Sequence, residues 1–289
     1  MQISELIQTI QEKQSYLCVG LDTDITRLPE GFSKNKQGVI DFNRAIIDAT
    51  LDSSVGYKIN TAFYESMGIP GWEAMEATLA HIPSSHFTIA DAKRGDIGNT
   101  SAQYAKTFFE ILPFDSITVA PYMGEDSIRP FLEYKNKVTI VLGLTSNKGS
   151  ADFQQLVVQD GVEQALVPSI LQGNTQSRLF EKVMSKIASW SNPSQLMFVV
   201  GATQSSEIEN IRNSFPEHFF LVPGVGFQGG SLQDISKYGL NEHGGLLVNA
   251  SRAILYASSG RDFAEEAAII AQQYHFEMKQ LLQEYSRIN

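Results

Sequence analysis

Eight short apolar segments recur along the chain, and this repetition constrains the fold more than any other feature of the sequence. Most of them are almost continuously apolar, which is typical of strands buried on both faces of a parallel sheet. They span 16–22, 55–60, 86–93, 116–122, 138–146, 195–202, 219–225 and 245–251. Helical patterns separate or follow them at 39–53, 72–82, 99–112, 126–134, 175–190, 205–215, 231–239 and 261–285. Eight strand–helix units predict an α/β fold of the (β/α)8 TIM-barrel type, with a doubly wound open sheet as the alternative.

The barrel is expected to form a single domain over 1–289, because barrels of this length are often one domain. One connection is unusually long: residues 147–194, between the fifth and sixth predicted strands, include polar stretches rich in Gly, Asn and Gln. A connection of this length usually carries its own helices or a mobile lid. We expect a helix at 175–190 and another near 160–171.

Charge and cysteine content exclude several classes of protein. The chain has 32 acidic and 22 basic residues, a formal net charge of −10, and its basic residues are dispersed, which argues against a nucleic-acid partner. A single cysteine, Cys18, excludes an internal disulfide and a cysteine-rich metal site. No apolar run approaches the roughly 18 residues of a membrane span, and the N-terminus lacks a secretory signal. We therefore expect a cytoplasmic protein with no membrane partner.

Charged residues of alternating sign lie where the first three predicted strands end. Asp22 ends the first, Lys58 lies near the end of the second, and Asp91 and Lys93 end the third, with Asp96 three residues later. Barrel enzymes place their active sites at this end of the strands. Asp91 and Lys93 are expected to share one face, because side chains alternate along a strand. Each residue alone is consistent with a structural ion pair, but their concentration at one end favours a catalytic site.

A lysine held between carboxylates keeps its proton, because opposite charges favour the charged form. This argues against Lys93 as an amine nucleophile. It favours a cation that stabilises a developing carbanion and then protonates it. Arg94, the next residue, is expected to point away from Lys93 and to have no catalytic role.

The segment DAKRGDIGNT (91–100) resembles the DxKxxDIxxT signature of the orotidine 5′-phosphate decarboxylase family. Other segments match the family in order: CVGLDTD (18–24), YKINTAFYE (57–65), LTSNKG (144–149), PGVGFQGG (223–230) and NASRAILYA (249–257). The resemblance covers essentially the whole chain and is closest to the longer bacterial subgroup, type 2, which has an extended fifth-strand loop. It implies decarboxylation of orotidine 5′-monophosphate to uridine 5′-monophosphate and CO2 in pyrimidine biosynthesis, without a metal or organic cofactor.

The resemblance also implies roles for the charged residues. Lys93 matches the lysine that protonates C6 of the pyrimidine after CO2 leaves, and Asp91 matches the aspartate that faces the substrate carboxylate. Lys58 matches the lysine that orders the charged network and contacts the ribose. Asp22 matches the aspartate that binds a ribose hydroxyl.

Four further matches concern the partner subunit and the base. Asp96 and Thr100 match residues that reach into the partner's active site, which implies a homodimer with shared sites. Ile97 matches an apolar contact to the base. Ser146, with Thr145 as the alternative register, matches the serine that reads the pyrimidine amide.

A phosphate site is expected in the loops after the seventh and eighth strands, where such barrels usually place it. The glycines of PGVGFQGG let backbone amides approach an anion, and Arg252, beside Ser251, supplies a planar fork suited to phosphate. Gln228 matches a glutamine that bridges phosphate and base. The shorter bacterial subgroup has an arginine where this chain has Gly226 and Phe227, so Arg252 is expected to carry more of the phosphate charge.

Two other functions remain open. A Mg²⁺-dependent sugar-phosphate decarboxylase or hexulose-phosphate synthase shares the barrel and the Asp-x-Lys-x-x-Asp pattern, and in such an enzyme Glu65 is a candidate metal ligand. A catalytically silent barrel that binds a phosphorylated ligand is the other. The LTSNKG segment and Gln228 favour a pyrimidine substrate. The five histidines show no metal-ligand spacing, so we expect no metal site.

Overall fold

A computed structural model describes residues 1–159, 176–202, 205–225 and 230–286. Its strands are β1 Leu17–Gly20, β2 Gly56–Asn60, β3 Phe87–Arg94, β4 Ser116–Val119, β5 Val138–Leu144, β6 Val157–Gln159, β7 Gln176–Arg178, β8 Leu196–Val200, β9 Phe219–Pro223 and β10 Leu246–Ala250. Eight of them close a parallel barrel in the order β1-β10-β9-β8-β5-β4-β3-β2. These are the eight strands that the sequence predicts, so the (β/α)8 fold is confirmed.

The strands owe their position to apolar side chains on both faces. Every residue of β1, β4, β8 and β10 is buried. One face of each strand packs against the interior of the barrel and the other against the outer helices, which explains why these segments are continuously apolar instead of alternating. The carboxyl ends of all eight strands consequently meet at one rim, where the charged residues lie.

The helices of the described residues are α1 Ile3–Lys13, α2 Lys36–Thr50, α3 Thr61–Glu65, α4 Ile69–His81, α5 Gly98–Lys106, α6 Glu125–Leu132, α7 Leu179–Ala188, α8 Ser205–Ser214, α9 Leu232–Gly239, α10 Arg252–Leu255 and α11 Phe263–Tyr285. The eight predicted helices are all present, with ends shifted by a few residues. α1, α3 and α10 were not predicted. α1 buries Ile3, Leu6 and Ile10 at helical spacing, a pattern too short to stand out beside its polar residues.

The long insertion differs in part from the prediction. A helix does cover 179–188, but 176–178 forms β7, which pairs antiparallel with β6 through Val157 and Arg178. Arg178 is the last residue of β7 and caps the N-terminus of α7, because its N–H donates to Glu181 Oε2 at 2.7 Å. Its guanidinium also binds Glu207. The helix expected near 160–171 lies outside the described residues. The assignment of 1–289 to a single domain stays a prediction.

The search for a membrane span covered the described residues, and no helix among them combines the length and the apolar character required.

Candidate active site

Four charged side chains from three adjacent strands form one connected network at the carboxyl rim. Lys58 Nζ, on β2, lies 3.0 Å from Asp22 Oδ1 and 3.1 Å from Asp91 Oδ2. Lys93 Nζ, at the end of β3, lies 2.6 Å from Asp91 Oδ1. The structure thus brings together the four residues that the sequence predicts to converge. Their catalytic roles stay predictions.

The network keeps its charges because each member is paired. Burial alone would lower the pKa of Lys58, but the carboxylates of Asp22 and Asp91 outweigh it and raise that pKa above its ordinary value. Burial would likewise raise the pKa of Asp91, but Lys58 and then Lys93 lower it well below its usual range. A buried charge that loses its partner costs roughly 3–5 kcal/mol, so the members depend on each other.

Lys93 reaches this network from an unusual backbone conformation. Its φ is +48°, in the left-handed region that non-glycine residues rarely adopt. The pairing of β3 with β4 shifts register between Ala90 and Arg94, which accommodates this conformation. The N–H of Lys93 donates to Thr118 Oγ1 at 2.9 Å, and that hydroxyl donates to Asp91 Oδ1 at 2.9 Å. Thr118 therefore holds both the backbone of the lysine and the carboxylate that it pairs with.

Asp96, Ile97 and Thr100 lie beyond the network, between β3 and the first turn of α5. Asp96 Oδ1 accepts the N–H of Ile97 at 2.7 Å, and within the described part of the chain no ion pair joins it to Lys58 or Lys93. Ile97 is 61% exposed, and Thr100 is also exposed. Ile97 and Thr100 are thus open to the surface, whereas Asp96 is half-buried.

A cleft opens between the charged network and the loops that follow β9 and β10. Its lining includes Lys58 and Asp91 on one side, and Gly224, Ser251 and Arg252 on the other. Gly224 has φ +91°, a conformation that glycine adopts without strain. The predicted contact from Gln228, like Gly226 and Phe227, lies outside the described residues.

The two candidates for reading the base, Thr145 and Ser146, follow β5 and have different neighbours. Both the N–H and the hydroxyl of Thr145 contact the side-chain amide of Gln154, at 2.8 and 2.9 Å, and its hydroxyl donates to Asn147 Oδ1 at 2.6 Å. Ser146 packs directly against Gly201 of the neighbouring strand, where a β-carbon would lie 2.5 Å from the Ser146 nitrogen.

Sequence reasoning missed three polar residues at this rim. Thr118 joins Asp91 to Lys93, and Asn60 and Asn249 line the cleft. The available signal was a polar residue near the carboxyl end of an otherwise apolar strand. Asn60 follows Lys58 by two residues and Asn249 precedes Ser251 by two, so each shares a strand face with a residue that was singled out.

Arg94 points away from the network, as the sequence predicts, and pairs with Glu65. The Arg94 guanidinium also lies 5.4 Å from the ring centre of Tyr104. Cys18 is fully buried, and burial raises the pKa of its thiol to about 12, so the sulfur is unreactive.

One group of potential metal ligands occurs among the described residues: Glu217, Glu242 and His243. His243 Nε2 lies 3.5 Å from Glu242 Oε1 and 3.9 Å from Glu217 Oε2. These residues precede β9 and β10, at the opposite end of the barrel from the cleft, and are largely exposed. The sequence spacing of the histidines did not indicate this cluster.

Comparison with known proteins adds independent findings. Residues 15–267 match the family described as "Orotidine 5′-phosphate decarboxylase / HUMPS family". The chain is 51% identical over 285 residues to the orotidine 5′-phosphate decarboxylase of Phocaeicola vulgatus, covering 98% of this chain and 99% of that protein. It is 49% identical over 286 residues to that of Flavobacterium johnsoniae, covering 98% of each. The solved structure of Leishmania donovani OMP decarboxylase superposes with a TM-score of 0.77 at 33% identity, covering 96% of this chain and 99% of that one.

Proposed function

The chain belongs to the orotidine 5′-phosphate decarboxylase / HUMPS family, and we propose from this membership that it converts orotidine 5′-monophosphate to uridine 5′-monophosphate and CO2 in pyrimidine biosynthesis. The observation that carries the proposal is the Asp22–Lys58–Asp91–Lys93 network at the carboxyl rim, of which Asp22, Lys58 and Asp91 line the cleft. It lies in a chain about half identical to named decarboxylases over their full length.

The proposed chemistry takes place at C6 of the pyrimidine. The bond from C6 to the carboxylate breaks, CO2 leaves, and the electron pair stays on C6. The Lys93 ammonium stabilises this developing negative charge and transfers a proton from Nζ to C6. The Lys93 side chain is 50% exposed, so the resulting neutral amine can regain a proton from solvent. Asp91 faces the substrate carboxylate and holds Lys93 in place.

The rest of the cleft is proposed to bind the parts of the substrate that do not react. Lys58 and Asp22 contact the ribose, and Arg252, Ser251 and Gln228 contact the phosphate. Binding energy from the phosphate orients the base over Lys93, although the phosphate is remote from C6. Arg252 and Ser251 line the cleft that Lys58 and Asp91 also line, which supports this assignment.

Ser146 is proposed to read the pyrimidine amide. The hydroxyl of Thr145 is held by Gln154 and Asn147, in the loop after β5. Ser146 packs against Gly201, the residue after β8. This favours Ser146 over the alternative register.

A homodimer with shared active sites is the proposed assembly. Asp96 and Thr100 would each reach the partner's site, and Ile97 would contact the base there. The exposure of Ile97 and Thr100 supports this arrangement, as does that of Tyr122 and Met123, 91% and 48%, in the loop after β4. Large exposed apolar side chains on one rim are typical of a surface that another protein covers.

The alternatives predict different responses. A Mg²⁺-dependent sugar-phosphate enzyme would lose activity in a chelator, and a silent barrel would bind uridine 5′-monophosphate without turning over the substrate. The cytoplasmic location and the lack of a nucleic-acid partner stay predictions.

The decisive experiment follows the ultraviolet absorbance of orotidine 5′-monophosphate in the presence of purified protein and excess EDTA. We expect rapid loss of the substrate absorbance at a rate proportional to enzyme concentration. The matched control supplies a hexulose phosphate with Mg²⁺, on which we expect no reaction. Folded protein that leaves the pyrimidine unchanged would overturn the proposal.

A further inference from the structure

The proposed mechanism assigns no role to Asn249, a polar residue that lines the cleft. It lies on β10, two residues before Ser251, and it borders the same cleft as Lys58, Asp91 and Arg252. Only 7% of its surface is exposed. A side-chain amide at this depth normally has partners for both its donor and its acceptor, because an unsatisfied buried polar group is destabilising.

Only the donor group of the Asn249 side-chain amide has a hydrogen-bond partner among the described residues. Its Nδ2 donates to Ser251 Oγ at 3.1 Å, whereas its Oδ1 is buried and has no hydrogen-bond partner among the described residues. The bond to Ser251 orients the amide, so that Oδ1 is turned from the hydroxyl. Gly20, on the adjacent β1, leaves room for both groups: a β-carbon there would lie 1.9 Å from Ser251 Oγ and 2.9 Å from Asn249 Oδ1.

Several other side-chain acceptors that line the cleft already have donors. Asp22 Oδ1 and both oxygens of Asp91 bind lysines, and the side-chain oxygen of Asn60 accepts the N–H of Ala62 at 3.3 Å. The Oδ1 of Asn249 is neutral, buried and unused. It therefore suits an uncharged donor, such as a hydroxyl, better than a cation.

We propose that Asn249 Oδ1 accepts a hydrogen bond from a ribose hydroxyl of the bound nucleotide, which makes Asn249 a residue that selects ribose. This inference rests on the proposed function. The phosphate and the carboxylate of the substrate only accept hydrogen bonds, whereas the ribose hydroxyls donate. The ribose also lies between base and phosphate, and Asn249 borders the cleft that both the charged network and Arg252 line.

The test compares substrates as well as variants. We would measure kcat/KM of the wild type, Asn249→Ala and Asn249→Asp on orotidine 5′-monophosphate and on its 2′-deoxy and 3′-deoxy analogues. Loss of one hydrogen bond is expected to lower kcat/KM about tenfold. Asn249→Ala should show this loss on the parent substrate and almost none on the analogue that lacks the contacted hydroxyl. Arg252→Ala is the control, because it should lower kcat/KM by the same factor on all three substrates.

Asn249→Asp keeps the shape and an acceptor oxygen. We expect it to retain the preference for the hydroxyl while its charge raises KM through repulsion of the phosphate. The proposal is overturned if Asn249→Ala loses the same factor on all three substrates, which is the result of a merely structural role. It is also overturned if Asn249→Asp loses the preference. If the wild type decarboxylates nothing, the proposed function fails, and binding of uridine 5′-monophosphate against its two deoxy forms still tests Asn249.

Discussion

Lys58 and Lys93 bind opposite oxygens of one carboxylate, that of Asp91, yet 4% of the Lys58 side chain is exposed and 50% of the Lys93 side chain. The two lysines therefore have different capacities. Lys58 is enclosed by Asp22 and Asp91 and serves to hold the network together. The Lys93 side chain is half exposed at the rim and can approach a substrate. This asymmetry favours Lys93 over Lys58 as the proton donor of the proposed reaction.

Lys93→Ala is expected to lower kcat by at least about 10³-fold, because it removes both the proton donor and the charge that stabilises the carbanion. The fold should persist, since Asp91 keeps Lys58 as a partner at 3.1 Å. Absorbance assays and thermal denaturation measure the two effects. Lys106→Ala, at an exposed lysine of α5, is the control and should behave as wild type. Near-normal turnover by Lys93→Ala would refute the assignment.

Arg252→Ala is expected to lower kcat/KM by about 10²-fold on orotidine 5′-monophosphate, the effect of losing charge-assisted hydrogen bonds to phosphate. On orotidine, which has no phosphate, the same variant should match the wild type. Steady-state kinetics on both substrates measure this difference. Arg261→Ala removes an exposed arginine of the following loop and should change neither. Equal losses on both substrates would exclude Arg252 from the phosphate site.

Gly201→Ala is expected to lower kcat/KM about tenfold or more while the fold is kept, because a misplaced contact residue disturbs substrate orientation. A β-carbon at this position would lie 2.5 Å from the nitrogen and 2.7 Å from the Cα of Ser146, so that backbone must move. Gly239→Ala, at the end of α9, is the matched control, since the nearest atoms there are the side-chain ends of Ile208 and Leu246, at 3.0 and 3.2 Å. If both variants have wild-type kinetics, Ser146 does not read the base.

Mixed dimers test whether the active sites are shared. Lys93→Ala and Asp96→Asn should each be nearly inactive alone. After unfolding and refolding together in equal amounts, half of the dimers are mixed, and each mixed dimer has one intact site. We expect recovery of about a quarter of the wild-type activity. A mixture that stays as inactive as its components, or a protein that sediments as a monomer, would contradict the shared site.

The buried side chain of His218 leads us to expect that the free energy of unfolding depends on pH. Burial, assisted by the nearby charge of Arg212, lowers its pKa to about 4, and neither ring nitrogen has a partner among the described residues. The unfolded chain, with an ordinary pKa near 6.5, takes up the proton first as the pH falls. The free energy of unfolding should therefore fall between about pH 6.5 and pH 4 and then level off with respect to this group.

Urea denaturation across this pH range measures the slope. We expect His218→Phe to flatten it and His275→Gln to leave it unchanged. Some slope should remain in His218→Phe, because burial also lowers the pKa of His86. A variant without His218 that keeps the full slope would show that this side chain is not the group that titrates.

The barrel was predictable because its strands are buried on both faces, so that their continuous runs of apolar residues are recognisable from the sequence alone. The charged network was predictable for a related reason: Asp91 and Lys93 interrupt an apolar strand at the end where barrels bind substrates. The three residues 176–178 were assigned to a helix because their pairing with β6 depends on chain nearly twenty residues away, which no local pattern contains.

The roles of Thr118 and Asn249 were also not predictable, because they too depend on contacts between distant parts of the chain. Thr118 matters because the β3–β4 register shift places its hydroxyl between the backbone of Lys93 and the carboxylate of Asp91. Asn249 matters because Gly20 on another strand leaves space beside it. Both depend on lateral register between strands, and a single sequence contains almost no information on register once every strand is buried.

The left-handed backbone of Lys93 has a consequence for how this barrel can be engineered or can evolve. A lysine at φ +48° is strained by about 1 kcal/mol or more relative to glycine, which adopts that conformation freely. The backbone conformation alone would therefore favour glycine at the position where the proposed chemistry requires an ammonium group. The ion pair with Asp91 and the rest of the barrel must offset this strain for the lysine to be kept.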